Sequence, residues 1–285
     1  MKLKETLEIL NDKDNFSVEN VDLYNLIDSM LVNIGTTDPV LRDTLMYTTF
    51  GKLVMEDYLS EEQMKYILRV SLDNEHLFFK IGERDSDSVF TRSFSALVVA
   101  LILEKEKQDR FLEPEILVNT TNASLTYLSK ERDIRGYVEE KGWAHSIAHG
   151  ADMLEGAIRG KDFDRDLTGR CLETIKVCLF KGEAGDGPYI DDEEERLIFA
   201  VEALLDKGLP AEALDNWVVG LSESLQDVWN EEGFSLLFFR KKSNVLNFLK
   251  ALYFRLAFRG ECSGVRESIQ SLLKQWHDKF YSHGD

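Results

Sequence analysis

The chain has 285 residues, of which 44% are hydrophobic and 30% are charged. Acidic residues outnumber basic ones by 52 to 34, which gives a formal net charge of −18. Such a surface repels phosphate backbones and anionic membrane faces at long range, so this composition argues against nucleic acid and membranes as partners.

The cysteine content and the apolar segments indicate the compartment. Three cysteines, an odd number, argue against a disulfide framework and favour a reducing environment. No signal peptide is predicted at the amino terminus. The most apolar run, residues 94–103, is shorter than the roughly 20 residues that cross a bilayer. We therefore expect a cytoplasmic protein in which Cys171 and Cys178 are small core residues.

Apolar residues recur at spacings of three and four along most of the chain, which contains only four prolines. This pattern predicts an all-α protein. Helix starts are predicted where proline follows a capping position or where a capping box stands. These signals occur at Asp38-Pro39, Glu113-Pro114, Leu209-Pro210, Ser60 with Gln63, and Asp191 with Glu194.

Five of the predicted helices are strongly apolar and carry a polar residue near their start. These residues follow one another at intervals of 50, 53, 51 and 51; they are Arg42, Arg92, His145, Arg196 and Asn247. A period of about 50 residues predicts repeated hairpins of an outer helix and a more apolar inner helix. We expect one domain over 1–285, an α/α superhelix of HEAT- or armadillo-like type with five to six hairpins. Whether it curves into a toroid is left open.

The remaining helices and the links between them complete the predicted repeats. Outer helices are predicted at 18–33, 60–74, 114–130, 166–181, 210–228 and 264–281. The links that lead from outer to inner helices are long and aromatic, and long loops in compact domains are often functional. Their rings either anchor the loops or form a docking rim. The rings are Phe78, Phe79, Tyr137, Trp143, Tyr189, Phe238 and Phe239.

Four segments between residues 40 and 260 carry a family resemblance. They read LRDTLMYTTFGKL, HLFFKIGERDSDSVFTRSFSAL, DIRGYVEEKGWAHSIAHGAD and NFLKALYFRL. Together they resemble an uncharacterised bacterial family, domain-of-unknown-function family 2785. The resemblance implies a cytoplasmic bacterial protein and supplies no activity.

The segment 136–152 contains a candidate metal site. His145, His149 and Asp152 stand at i, i+4 and i+7, and therefore share one face of a helix. They either bind a divalent metal such as zinc, or the histidines hydrogen-bond the neighbouring loop as structural residues. Ser146 stands where a zincin has glutamate, so the peptidase motif is absent.

The repeated arginines form a second candidate site. In a superhelix, residues at equivalent positions line up along the concave face. The arginines either make internal ion pairs with Asp43, Asp87, Glu139 or Glu195, or bind a carboxylate or phosphate. The candidate binding residues are Arg42, Asp43, Arg92, Trp143, His145, His149 and Arg196.

We interpret the chain as a non-enzymatic binding or scaffold module. Its concave face and long loops would bind a protein or peptide with a basic patch, because the chain is acidic and lacks a complete catalytic or nucleotide-binding motif. The alternative is an enzyme of α/α-toroid type, with or without a metal, whose site lies near His145, His149 and Asp152.

The predicted arrangement of the segment 136–152 gives an expected order for the stabilities of two alanine variants. Trp143 is expected at the start of the inner helix, where it packs the loop down, while His145 and His149 are expected to face the concave side one turn apart. Gly150, inside the helix, predicts the close approach of a neighbouring element. On this basis we expect His149→Ala to cost less stability than Trp143→Ala.

Overall fold

A computed structural model describes residues 3–12 and 16–282, and within them the chain is all-α apart from one short hairpin. The helices are α1 (Leu3–Leu10), α2 (Leu23–Val32), α3 (Tyr47–Met55), α4 (Glu61–Ser71), α5 (Ser88–Asp109), α6 (Pro114–Lys130), α7 (Ser146–Arg159), α8 (Thr168–Leu179), α9 (Glu193–Asp206), α10 (Ala211–Glu232), α11 (Leu236–Arg259) and α12 (Ser263–Tyr281). The strands are β1 (Tyr137–Val138) and β2 (Gly142–Trp143). The predicted all-α class is confirmed.

Two short helical stretches extend this framework. A π-helical segment, Val40–Met46, runs directly into α3, and a 3-10 turn, Arg165–Leu167, precedes α8. Across the ranges that the structure describes, none of the helices combines the length and apolar character that a bilayer span requires.

Local capping signals determine several helix starts as predicted. The Ser60 hydroxyl accepts the backbone N–H of Gln63, whose side chain accepts the N–H of Ser60, so the capping box is present. Pro114 is the first residue of α6. One carboxylate oxygen of Asp38 accepts the N–H groups of the two residues that follow Pro39, at 3.0 and 3.1 Å.

The link predicted before α11 is much shorter in the structure. Helix α10 ends where Gly233 takes a positive φ of 59°, and α11 begins at Leu236 because the Ser235 hydroxyl accepts the N–H of Phe238. The expected position of Asn247 near a helix start was therefore wrong, since this residue lies in the middle of α11.

The helices form two compact units, one up to Asp164 and one from Arg165 onward. In the first unit, α5 packs against α3, α4 and α7, and α6 packs against α7. In the second, α11 packs against α8, α9, α10 and α12. Both central helices bury apolar residues, so each unit has its own core.

Two predictions about small residues are confirmed. A Cβ on Gly150 would lie 2.6 Å from the Leu128 side chain, so the missing side chain permits α6 and α7 to approach closely. Cys171 and Cys178 are fully buried in the second unit. Burial raises the pKa of Cys171 to about 12 and that of Cys178 to about 11, and both thiols act as core residues.

Candidate functional site

A two-stranded hairpin, residues 137–143, precedes α7 in the first unit. Tyr137 lies opposite Trp143 in the antiparallel register. Helix α7 begins at Ser146, so Trp143 lies in β2 and the expectation that it starts the helix was wrong. A sequence signal for the hairpin exists, because β-favouring residues flank a short turn that is followed by Gly142.

The side chain of Arg42 hydrogen-bonds to the backbone of this hairpin. Its side chain is fully buried. One terminal nitrogen, Nη2, donates to the carbonyl oxygens of Lys141 at 2.6 Å and Trp143 at 3.3 Å, while Nη1 donates to the carbonyl of Thr36 at 2.6 Å. A single guanidinium therefore ties the hairpin to the segment that precedes the π-helical stretch.

Two rings and one carboxylate compensate for burying this cation. The guanidinium carbon of Arg42 lies 4.1 Å from the ring centroid of Phe90 and 4.7 Å from that of Phe94. Its Nε lies 2.8 Å from Oδ1 of Asp43. Burial lowers the pKa of Arg42 and raises the pKa of Asp43, and each shift is opposed by the charge of the other group. Of the two alternatives for Arg42, its burial favours the internal ion pair.

Gly142 allows the hairpin to sit directly on this ion pair. Its φ is +78°, and a Cβ at this position would lie 2.7 Å from Oδ2 of Asp43 and 2.8 Å from Cβ of Pro39. The backbone N–H of Trp143 lies 3.5 Å from the same carboxylate oxygen. Both the backbone conformation and the lack of space therefore favour glycine here.

Arg92 is also fully buried, and its partner is Glu131. Nε lies 2.6 Å from Oε2 and Nη2 lies 2.9 Å from Oε1, and both side chains have no exposed surface. Nη1 donates to the Ser88 hydroxyl at 2.8 Å. Burial lowers the pKa of Arg92, but the hydrogen bonds and charge of Glu131 outweigh this effect and raise it. The burial of Arg92 favours an internal pair for this arginine as well.

The sequence did not reveal Glu131 as the partner of Arg92. Of the four carboxylates it suggested for the arginines, Asp43 pairs with Arg42 and the other three lie elsewhere. Asp87 pairs with Lys141 at 2.7 Å, and Glu195 pairs with Arg255 at 3.3 Å in the second unit. Glu139 is exposed in the turn of the hairpin. No sequence spacing links Arg92 to its actual partner, because the contact depends on how the start of α5 lies beside the end of α6.

Aromatic rings form a continuous row from the hairpin into the core. Neighbouring ring centroids lie 5.0, 4.4, 5.6 and 5.2 Å apart along this aromatic row, which consists of Tyr137, Trp143, His145, His149 and Phe94. The exposed fraction falls from 57% at Tyr137 and 39% at Trp143 to 7% at His149. The outer end of the row is therefore accessible, and its inner end is part of the core.

The two histidines differ in their surroundings. His145 occupies the N-cap position of α7 in a left-handed conformation with φ 46°, and its ring stacks on Trp143. His149 is buried, so its ring does not face solvent. Asp152 is half-buried on α7. Metal binding by His145, His149 and Asp152 stays a prediction.

The other sequence candidates separate into anchors and exposed residues. In the second unit, Arg196 is half-buried on α9, with its guanidinium carbon 5.9 Å from the ring centroid of Phe199. Tyr189 is buried there and donates its phenol to the carbonyl of Cys178 at 2.6 Å. Phe238 is fully buried. Tyr189 and Phe238 therefore anchor their own unit, whereas Tyr137 and Trp143 remain exposed.

Comparisons with known proteins give a family and no activity. No match to this chain was found among curated proteins or among solved structures. The model of a family described as "Protein of unknown function (DUF2785)" matches residues 77–254, a range that includes the hairpin and the whole aromatic row. Because this match covers more than half of the sequence, the chain belongs to the DUF2785 family, domain-of-unknown-function family 2785.

Proposed function

We propose that the protein is a non-enzymatic binding module whose hairpin docks a positively charged segment of another protein. The observation that carries this proposal is the exposed pair of Tyr137 and Trp143, whose ring centroids lie 5.0 Å apart. Large exposed rings that lie next to each other are typical of contact surfaces between proteins.

The charge around the two rings favours a basic partner. Glu139 and Glu140 are exposed in the turn between β1 and β2, and the whole chain carries a net charge of −18. A lysine or arginine of the partner can stack on a ring face, which contributes about 0.5–1 kcal/mol at exposed sites. The same side chain can pair with a turn carboxylate, and the net negative charge steers a basic segment towards the surface.

The hairpin is held in one conformation before any partner arrives. The hydrogen bonds from Arg42 to the carbonyls of Lys141 and Trp143 fix its backbone, and Gly142 seats it against Asp43. Ordering a loop at an interface reduces affinity, so a preformed hairpin binds with a smaller entropic cost than a flexible loop.

The repeat architecture belongs to the same proposal. Alternate helices pack in series within each unit, α3 with α5 and α5 with α7 in the first, and α9 with α11 in the second. This order supports helical hairpins of HEAT- or armadillo-like type with a period of about 50 residues. A scaffold of this kind in the cytoplasm would present the hairpin at a link between an outer and an inner helix.

Binding of defined peptides tests the proposal. Fluorescently labelled peptides rich in lysine and arginine are titrated with the whole chain, beside acidic and neutral peptides of the same length and aromatic content. We expect the basic set to bind, with an affinity that falls as salt rises. The Tyr137→Ala/Trp143→Ala variant should weaken this binding at least tenfold, which corresponds to about 1.4 kcal/mol.

The matched control is Phe258→Ala, which removes an aromatic ring that is 83% exposed on α11 of the second unit. This variant should bind the basic peptides like the unchanged chain. Equal binding by the Tyr137→Ala/Trp143→Ala variant, or equal binding of acidic peptides, would refute the proposal. Circular dichroism of each variant shows whether the helices remain formed.

One observation favours the alternative function, an enzyme of α/α-toroid type. The rings of His145 and His149 lie 5.6 Å apart, and the left-handed backbone of His145 is of a kind that occurs often at functional sites. A divalent metal such as zinc would bind their ring nitrogens, with Asp152 as a third ligand. Calorimetric titration with zinc tests the metal-dependent form of this alternative, which requires zinc binding that His145→Ala abolishes.

A further inference from the structure

A cavity of about 350 Å³ lies between α11 and α12 in the second unit. Its lining contains two lysines, Lys242 and Lys250 on α11, and one histidine, His277 on α12. In the part of the chain that the structure describes, no aspartate or glutamate lines this cavity. A cationic cavity therefore exists in a chain whose net charge is −18.

Lys242 is the buried cation of this cavity. Only 7% of the surface of Lys242 is exposed. Within residues 3–12 and 16–282 its ammonium group forms no ion pair, and its hydrogen-bond acceptor is the phenol oxygen of Tyr281 at 3.5 Å. Nζ lies 4.2 Å from the ring centroid of Phe280 and 5.4 Å from that of Phe239. Ring faces offset only part of the cost of burying an ammonium group, which normally has an anion beside it.

A neighbouring cavity shows the usual arrangement. It lies between α10 and α12, has a volume of about 620 Å³ and shares Trp276 with the first cavity. Its lysine, Lys279, is accompanied by Glu223 and Asp227 in the lining. Of these two cavities, only the one around Lys242 has cations without carboxylates.

We infer that the cavity between α11 and α12 binds a small aromatic anion. A carboxylate or phosphate group would pair with Lys242, and Lys250 would contribute a second positive charge because it is exposed in the same lining. Trp276 and Tyr281 supply apolar walls for a planar ring. The volume lies within the range of about 300–1,000 Å³ that is usual for small-molecule sites.

This site lies in the second unit, whereas the hairpin belongs to the first, and its assignment does not depend on the proposed peptide binding. Helix α12 follows the residues 77–254 that the family model matches, so one wall of the cavity lies outside the matched region. The ligand would therefore be a property of this chain that family membership alone does not supply.

Calorimetric titration of the whole chain with phenyl phosphate and benzoate tests the assignment. Benzylamine provides the same ring with a positive charge, and inorganic phosphate provides the anion without a ring. We expect both aromatic anions to bind, inorganic phosphate to bind at least tenfold more weakly than phenyl phosphate, and benzylamine not to bind. The variant Lys242→Met keeps the length and apolar stem of the side chain, and it should weaken binding of phenyl phosphate at least tenfold.

Two further variants make the result specific. Lys274→Met removes a lysine of α12 whose side chain is 74% exposed and that does not line the cavity, so it should bind phenyl phosphate like the unchanged chain. Lys250→Met should weaken binding severalfold, and it tests the site even if Lys242→Met does not fold. Without ligand, Lys242→Met should raise the Tm because it removes a buried cation that lacks an anion.

Several outcomes would overturn the assignment. These are absence of binding by both aromatic anions, benzylamine binding as tight as that of phenyl phosphate, or unchanged binding by the Lys242→Met and Lys250→Met variants. A lower Tm for ligand-free Lys242→Met would also overturn it, since this result assigns the lysine a purely structural role.

Discussion

Arg92 and Glu131 form a fully buried ion pair with two parallel contacts, although 39 residues separate them in the chain. Glu131 is the C-cap residue directly after α6, and its Oε1 also accepts the backbone N–H groups of Arg132 and Asp133, both at 2.9 Å. The pair therefore joins α5 to the point where the chain leaves α6 and turns towards the hairpin. Its geometry resembles the planar recognition that arginine makes with carboxylates.

Removing one member of this pair should destabilise the first unit strongly. Arg92→Met leaves the carboxylate of Glu131 buried without its cation, and we expect a loss of about 3–5 kcal/mol in the free energy of unfolding. Urea unfolding followed by circular dichroism measures it. The double variant Arg92→Met/Glu131→Gln should recover part of the loss. The control Arg69→Met removes an exposed arginine of α4, and a similar effect of this variant would contradict the expectation.

Replacing Gly142 should separate steric crowding from backbone strain. Gly142→Ala and Gly82→Ala both place a side chain at positive φ, at +78° and +94°, which costs about 1–2 kcal/mol. Only at Gly142 would the new Cβ clash, because the space around Gly82 is open. We therefore expect Gly142→Ala to be more destabilising by about 1–3 kcal/mol. Equal unfolding midpoints for the two variants would show that the hairpin is not tightly seated.

The burial of the two rings reverses the stability ranking expected from the sequence. His149 is 7% exposed and packs edge-on against Phe94, whereas Trp143 is 39% exposed. His149→Ala should cost about 2–5 kcal/mol, as for other buried side chains cut back to alanine. Trp143→Ala should cost about 1–2 kcal/mol, within the common range for partly exposed sites. Thermal unfolding of both variants decides the order, and a larger loss for Trp143→Ala would contradict this assignment.

Glu106 should give the first unit a pH dependence of known sign. Burial raises its pKa above the ordinary 4.5, although its Oε2 accepts the N–H groups of Phe111 and Leu112, both at 2.8 Å. Because the pKa of Glu106 is raised in the folded state, the stability that its protonated carboxyl contributes is fully present below pH 4.5. This stability is lost as the pH rises through the folded-state pKa. Glu106→Gln lacks this titration and keeps an acceptor oxygen.

The stability of Glu106→Gln relative to the unchanged chain should therefore increase from pH 4 to pH 7. Urea midpoints at the two pH values measure this difference. Glu104→Gln is the matched control, because Glu104 is exposed on the same helix. A constant difference for Glu106→Gln, or the same change for Glu104→Gln, would mean that the carboxyl of Glu106 does not titrate as its burial requires.

The sequence by itself determined the all-α class and several helix starts. The capping box of Ser60 and Gln63 and the first-turn proline Pro114 are local signals, because a cap involves residues within one turn of each other. The mid-helix Gly150 likewise indicated a close contact before its partner was known. The start of α11 was missed because the aromatic and basic residues after Ser235 were interpreted as a loop, although its hydroxyl caps a helix.

Only the tertiary structure decided which candidate residues are accessible. Exposure depends on elements that are distant in the chain: Phe90 and Phe94 of α5 cover Arg42, and the end of α6 brings Glu131 to Arg92. Sequence periodicity predicted that these arginines are equivalent. It could not show whether they face solvent, because an arginine in a buried ion pair and an exposed binding arginine can occupy the same position in a helix. The physical reason is that sequence periodicity indicates which residues share one face of a helix, whereas the burial of these residues depends on the elements that pack against that face.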